Sequence, residues 1–132
     1  MRSRRLTVLG LLAGVSLCAC TGGPPGIDAA QAACRAYADT ERHHAATTLE
    51  EVDALRADAR EHADHAAAAD DAWAPLLSDI DGAYAHLAAS AAAQNAGEVE
   101  AAGREVEAFQ AADERVRADC AQADEEIGPL RP

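Results

Sequence analysis

Five histidines, four cysteines and 23 acidic residues hold most of the chemistry that this 132-residue sequence can offer. His62 and His65 lie three apart, and Asp58 lies four before His62, so on a helix all three share one face. Imidazole beside carboxylate is a donor set for zinc or copper, and a helical bundle supplies further ligands from facing helices. Tyr37 and Tyr84, with histidines, would suit the lining of a haem or small-ligand slot. The other reading of His62 is a hydrogen-bonded seam residue, with His43, His44, His65 and His86 solvated; both readings stand at this level.

Catalytic patterns are missing. Glu-x-x-His does not recur on two helices, so the di-iron signature is absent, and Glu61-His62-Ala63-Asp64-His65 is not His-Glu-x-x-His. There is no Cys-x-x-Cys-His for covalent haem, no Gly-x-Ser-x-Gly around Ser78 or Ser90, no glycine-rich phosphate loop and no Asp-x-Asp-x-Asp-Gly calcium loop. The sequence therefore predicts no enzyme and calls for no cofactor, with zinc, copper or haem at Asp58, His62 and His65 as the alternative. The acids of residues 98–107 and 124–126 read as solvated helix faces, and Trp73 beside Pro75 reads as a packing plug at a bundle end.

The elements that must position these residues follow from composition. Alanine accounts for 36 residues, aromatics for 3%, and all 11 basic residues are arginine. Small apolar side chains suit closely packed helices and argue against a sheet-based core. The net charge of −12 leaves too little positive charge to displace phosphate counterions, which excludes nucleic acid as a partner.

From Ile27 to Ile127 the pattern predicts four helices in a single domain. The first is capped by Asp28 and runs to about Ala45. Thr48 with Glu51 makes a capping box for the second, which continues to about Asp70. Pro75 opens the third, from about Ala74 to Ala93, and Asn95-Ala96-Gly97 ends it. The fourth runs from near Glu98 to Ile127, where Gly128-Pro129 stops it and a short tail, 128–132, follows.

Apolar stripes at alternating spacings of three and four predict the seams. They are Val52, Leu55, Ala59, His62, Ala66, Ala69 and Trp73 in the second helix, then Leu77, Ile80, Tyr84, Leu87 and Ala91 in the third. The fourth contributes Val99, Ala102, Val106, Phe109, Asp113, Val116, Cys120, Ala123 and Ile127, and the first Ala30, Cys34, Tyr37 or Ala38, and Glu41. Short connections make neighbours antiparallel, which gives an all-α, up-down-up-down four-helix bundle with the first and last helices adjacent. The unequal lengths leave room for a ragged bundle, or one in which only three helices pack fully.

Ahead of this domain, Arg2, Arg4 and Arg5 precede an apolar run from Leu6 to Leu17 that is shorter than a membrane span, the order of an export signal. Leu17-Cys18-Ala19-Cys20 resembles the lipobox of bacterial prolipoproteins. That resemblance implies removal of residues 1–19 and lipidation of Cys20 with a diacylglyceryl group and further acyl chains such as palmitate, which together hold far more firmly than one chain. Residues 20–26 then form a lipidated cysteine and a Gly/Pro tether, and the exported part carries eight arginines against 23 acids, a charge of −15. With Cys18 removed and Cys20 acylated, Cys34 and Cys120 remain, and an even remainder in an oxidising compartment predicts a disulfide between the first and last helices.

The exported part also resembles the small alanine-rich helical lipoproteins of high-GC Gram-positive bacteria. The expectation is a non-enzymatic binding or structural module held on the outer face of the cytoplasmic membrane, its partners being the membrane, through the anchor, and an envelope protein.

Overall fold

The computed structural model describes residues 23–39 and 48–128. Cys18, Cys20, Glu41, His43, His44 and residues 129–132 lie outside that range. Helix α1 is Ile27–Tyr37, α2 is Leu49–Ala69, a 3-10 turn spans Asp71–Trp73, α3 is Ala74–Asn95 and α4 is Val99–Gln122. Among the described residues there are four α-helices and no strand, and the helices pack side by side as the bundle expected from the seams.

Several ends are set by local chemistry. Glu51 N–H donates to Thr48 Oγ1 at 3.2 Å and Thr48 N–H donates to Glu51 Oε2 at 3.0 Å, which satisfies two otherwise orphaned donors at the start of α2. Asp70 accepts from Ala72 N–H at 2.9 Å and opens the 3-10 turn. Pro75 sits in the first turn of α3, where a missing N–H costs nothing. Gly97, at φ 77, closes α3 as Glu98 N–H reaches back to Ala93 O at 2.9 Å.

Three boundaries differ from expectation. The cap of α1 is Gly26 rather than Asp28, which lies inside the first turn. Gly26 is at φ 79, and a Cβ there would lie 2.8 Å from the Ala66 carbonyl oxygen, so close approach to α2 requires a glycine. Helix α1 ends at Tyr37 instead of continuing to about Ala45, a residue outside the described range. Helix α4 stops at Gln122 instead of Ile127, because Asp124 turns into the left-handed region at φ 58. Glu125 N–H then bonds Cys120 O at 3.0 Å, the closure that a glycine usually provides.

The core is thin in large side chains. Ala30, Ala33, Cys34 and Tyr37 from α1 meet Ala59, Ala63 and Ala66 from α2, Leu76, Ile80, Ala83 and Tyr84 from α3, and Phe109, Ala112, Val116 and Cys120 from α4. Alanine contributes little burial, at about 0.8 kcal/mol per CH₂, but lets backbones approach closely. Cys34 and Cys120 form the expected disulfide, with Cα atoms 5.7 Å apart, and join the first helix to the last.

The seams are mostly where the spacing put them, with one informative shift in α2. Its buried stripe is Leu55, Ala59, Ala63 and Ala66, whereas His62 is half-buried and Val52 and Ala69 are exposed. After Ala59 the stripe steps by four to Ala63, which puts a methyl group against α1 and leaves the imidazole on the rim with access to water. In α3 the buried positions include Leu76, Ala83 and Ser90, while Leu77 and Leu87 pack from the side and Ala91 is exposed. Val99, at the start of the α4 stripe, is 81% exposed.

Candidate functional site

Helix α1 is only 11 residues long, about 16 Å at 1.5 Å per residue, and lies along the half of the bundle where α2 ends and α4 ends. Its register against α4 is fixed by three contacts in antiparallel order. Gln31 Nε2 donates to Ala123 O at 2.8 Å, Cys34 bonds Cys120, and Tyr37 OH donates to Asp113 Oδ1 at 2.8 Å. Arg35 also pairs with Glu125 at the surface.

Tyr37 and Asp113 form the most buried polar contact described. Tyr37 is fully buried and Asp113 is 3% exposed. A carboxylate in such a place needs partners on both oxygens. Oδ1 accepts from Tyr37, and Oδ2 accepts from Arg117 Nε at 3.2 Å, one turn further along α4. Burial first, then the negative charge of Asp113, pushes the Tyr37 phenol well above its ordinary range, so it stays a proton donor. The Tyr84 ring meets Tyr37 edge-on, centroids 5.6 Å apart and planes at 73°, an arrangement that favours aromatic quadrupoles.

This arrangement bears on the aromatic slot read from the sequence. Tyr37 is consumed by the core and reaches no opening. Tyr84 borders a groove of about 160 Å³ with Val52, Asp53, Arg56, Leu87, Ala88 and Ala91, below the roughly 300–1,000 Å³ of sites that enclose a small molecule.

The histidine face forms in part. His62 Nε2 lies 3.6 Å from Asp58 Oδ1, one helical turn away, both side chains well exposed. His65 is exposed, and among the described residues no three side chains of histidine, cysteine, aspartate or glutamate converge in a way that could hold a metal ion. His86, outside the sequence-derived set, pairs instead across helices: its Nδ1 is 2.8 Å from Glu105 Oε2 on α4.

A second carboxylate site lies between α3 and α4. Arg115 Nε donates to Asp79 Oδ1 at 2.8 Å, and Asp119 lies one turn beyond Arg115. Asp119 Oδ2 is buried without a hydrogen-bond partner. Its burial and the nearby negative charge of Asp79 raise its pKa, against the opposing charge of Arg115.

Trp73 behaves as the packing plug that the sequence suggested, and does more. It is 7% exposed, and its indole N–H donates to the Pro25 carbonyl at 3.0 Å. The Gly/Pro segment is thereby fastened to the end of the bundle where α2 gives way to α3.

The sequence spacing places Asp113 on the seam but does not by itself pair it with Tyr37. The register was the available signal. In an antiparallel pair, moving one turn past Cys34 on α1 moves back from Cys120 along α4, and a tyrosine is long enough to reach one turn further.

Comparison of the chain with protein-family models, with curated proteins and with solved structures gives no match.

Proposed function

We propose that this chain is a lipid-anchored envelope lipoprotein, held on the extracytoplasmic face of the cell membrane, whose helical domain acts by binding an envelope component rather than by turnover. The observation that carries this reading is the pairing of two features: a lipobox-like Leu17-Cys18-Ala19-Cys20 after an export-type leader, and a disulfide closing the domain that follows. Disulfides persist in oxidising compartments and are scarce in reducing ones, so the clamp suits an exported domain. Tyr37 is enclosed in the core and its hydroxyl is committed to Asp113, which supports a structural role for it.

Mass spectrometry of the full chain isolated from a lipoprotein-processing bacterium tests the proposal. The expected mature N-terminus is Cys20 carrying a diacylglyceryl group, with Cys34 and Cys120 joined. Cys20→Ser should move the protein from the membrane fraction to the soluble fraction. An N-terminus elsewhere, or unmodified Cys20 in a membrane-bound product, would overturn the reading.

A further inference from the structure

Residues 21–26 read in sequence as a free tether, yet their last members belong to the fold. Trp73 Nε1–H donates to Pro25 O, Ile27 N–H donates to Pro24 O at 3.1 Å, and Gly26 sits against Ala66, Ala69 and Trp73 at distances that admit no Cβ. The chain therefore enters the bundle at one defined place, beside the turn between α2 and α3. Between Cys20 and Pro24 lie only Thr21, Gly22 and Gly23, which extend at most about 14 Å at 3.3–3.6 Å per residue. Helix α4, at 24 residues, is about 36 Å long. The leash is less than half the length of the body it holds.

Charge decides how that body is held. The exported part carries eight arginines against 23 acids. The short leash holds the acidic base, with Asp70, Asp71, Asp124, Glu125 and Glu126, near the lipid in any posture, and the acids along α2 and α4 make the sides meet an anionic surface unfavourably as well. A bundle lying flat within about 14 Å brings a whole side to within two screening lengths, at about 8 Å each in physiological salt. An upright bundle brings only its base that close.

We propose that the domain stands end-on to the lipid surface. The turn between α2 and α3 and the C-terminal end of α4 face the headgroups, and the Asn95–Val99 turn is outermost. This inference rests on the lipid anchor at Cys20 and adds to it an orientation set by the Trp73–Pro25 attachment.

The full lipidated chain, reconstituted in vesicles of phosphatidylcholine and phosphatidylglycerol, supplies the test. A clickable non-natural side chain at Ala72 or at Ala96, both exposed, carries a donor dye, and a headgroup-labelled lipid carries the acceptor; Trp73 stays intact. Transfer from position 72 should exceed that from position 96 about fivefold or more, given an axial separation near the length of α3. Equal transfer from both positions, or more from position 96, with the protein floating with the vesicles, overturns the orientation and leaves the anchor standing. Failure to float, with Cys20 unmodified by mass, removes the anchor and the orientation together.

Discussion

The two ends of the bundle are held together by different physics. In the half that contains α1, a disulfide and a buried Tyr37–Asp113–Arg117 chain tie α1 to α4, and the Trp73–Pro25 bond ties the segment entering α1 to the turn between α2 and α3. In the other half, among the described residues, α2, α3 and α4 meet through alanines, Phe109, a buried Ser90 and contacts such as His86–Glu105. The first half holds most of the large buried side chains, Tyr37, Trp73, Leu76, Ile80, Tyr84 and Val116, and adds long-range covalent and polar links to their packing. The second relies on helices long enough, at 21 to 24 residues, to pack along most of their length. The contrast shows two ways in which an alanine-rich sequence specifies one packing arrangement.

Removing the clamp should break the contrast most. The bond joins positions separated by 86 in sequence, and in the chain-entropy treatment closing such a loop stabilises by about 4–5 kcal/mol. Cys34→Ala with Cys120→Ala should lower the urea midpoint accordingly, and reductant should have the same effect on the native chain but none on the variant. A loss below about 1 kcal/mol would mean that α1 docks without the bond.

Next in size is Tyr37→Phe. The ring and its edge contact with Tyr84 remain, but Asp113 Oδ1 loses its donor in a buried site, which costs about 1–3 kcal/mol. Asp113→Asn should cost a similar amount: an amide oxygen kept toward Tyr37 turns the NH2 toward the Arg117 guanidinium, donor against donor. If Tyr37→Phe proved neutral in denaturant melts, the polar chain would contribute nothing to holding α1.

These two links also mark where the sequence was legible and where it was not. The start of α2, the start of α3 and the stop at Gly97 rest on residues within a few positions of each other, so Thr48, Glu51, Pro75 and Gly97 announced them. The disulfide followed from counting cysteines. The end of α4 did not follow, because Asp124 adopts the left-handed conformation where Gln31 and Arg35 of α1 hold the neighbouring Ala123 carbonyl and Glu125. His62 and Ala63 are adjacent, and a stripe of threes and fours accepts either; the choice falls to how closely α1 and α2 approach. Of the proposed ligand set, only Asp58 and His62 are brought together. The Tyr37–Asp113 bond spans 76 positions, and no local pattern encodes it.

A smaller effect, of opposite sign, should appear in the half without α1. Gly103 lies inside α4 with nothing within 4 Å of a Cβ added there, so Gly103→Ala removes backbone freedom from the unfolded chain at no steric cost and should stabilise by about 0.4–1 kcal/mol. Gly26→Ala, in the clamped half, should destabilise instead, because of its positive φ and the Ala66 carbonyl. The two glycines thus separate a position tuned by tertiary contact from one that is not. Thermal melts that moved in the same direction for both would remove that distinction.

The smallest effect concerns pH. Asp119 has its pKa raised by burial and by the charge of Asp79, so the fold favours its protonated form. Such a group contributes stability that is fully present below its unfolded pKa of about 4 and is lost as pH rises through the higher folded value. At neutral pH the ionised Asp119 therefore strains the α3–α4 contact, while Arg115 offsets part of the repulsion. Asp119→Asn supplies a permanently neutral side chain whose amide can donate to Asp79. Its melting temperature should match that of the native chain near pH 3 and rise above it toward pH 7. The gain is on the order of a few tenths of a kcal/mol, because the carboxyl group is partly solvated and screened. A difference that stayed constant across that range would assign the effect to packing and not to ionisation, and would leave the clamped half without a pH-sensitive contact at this site.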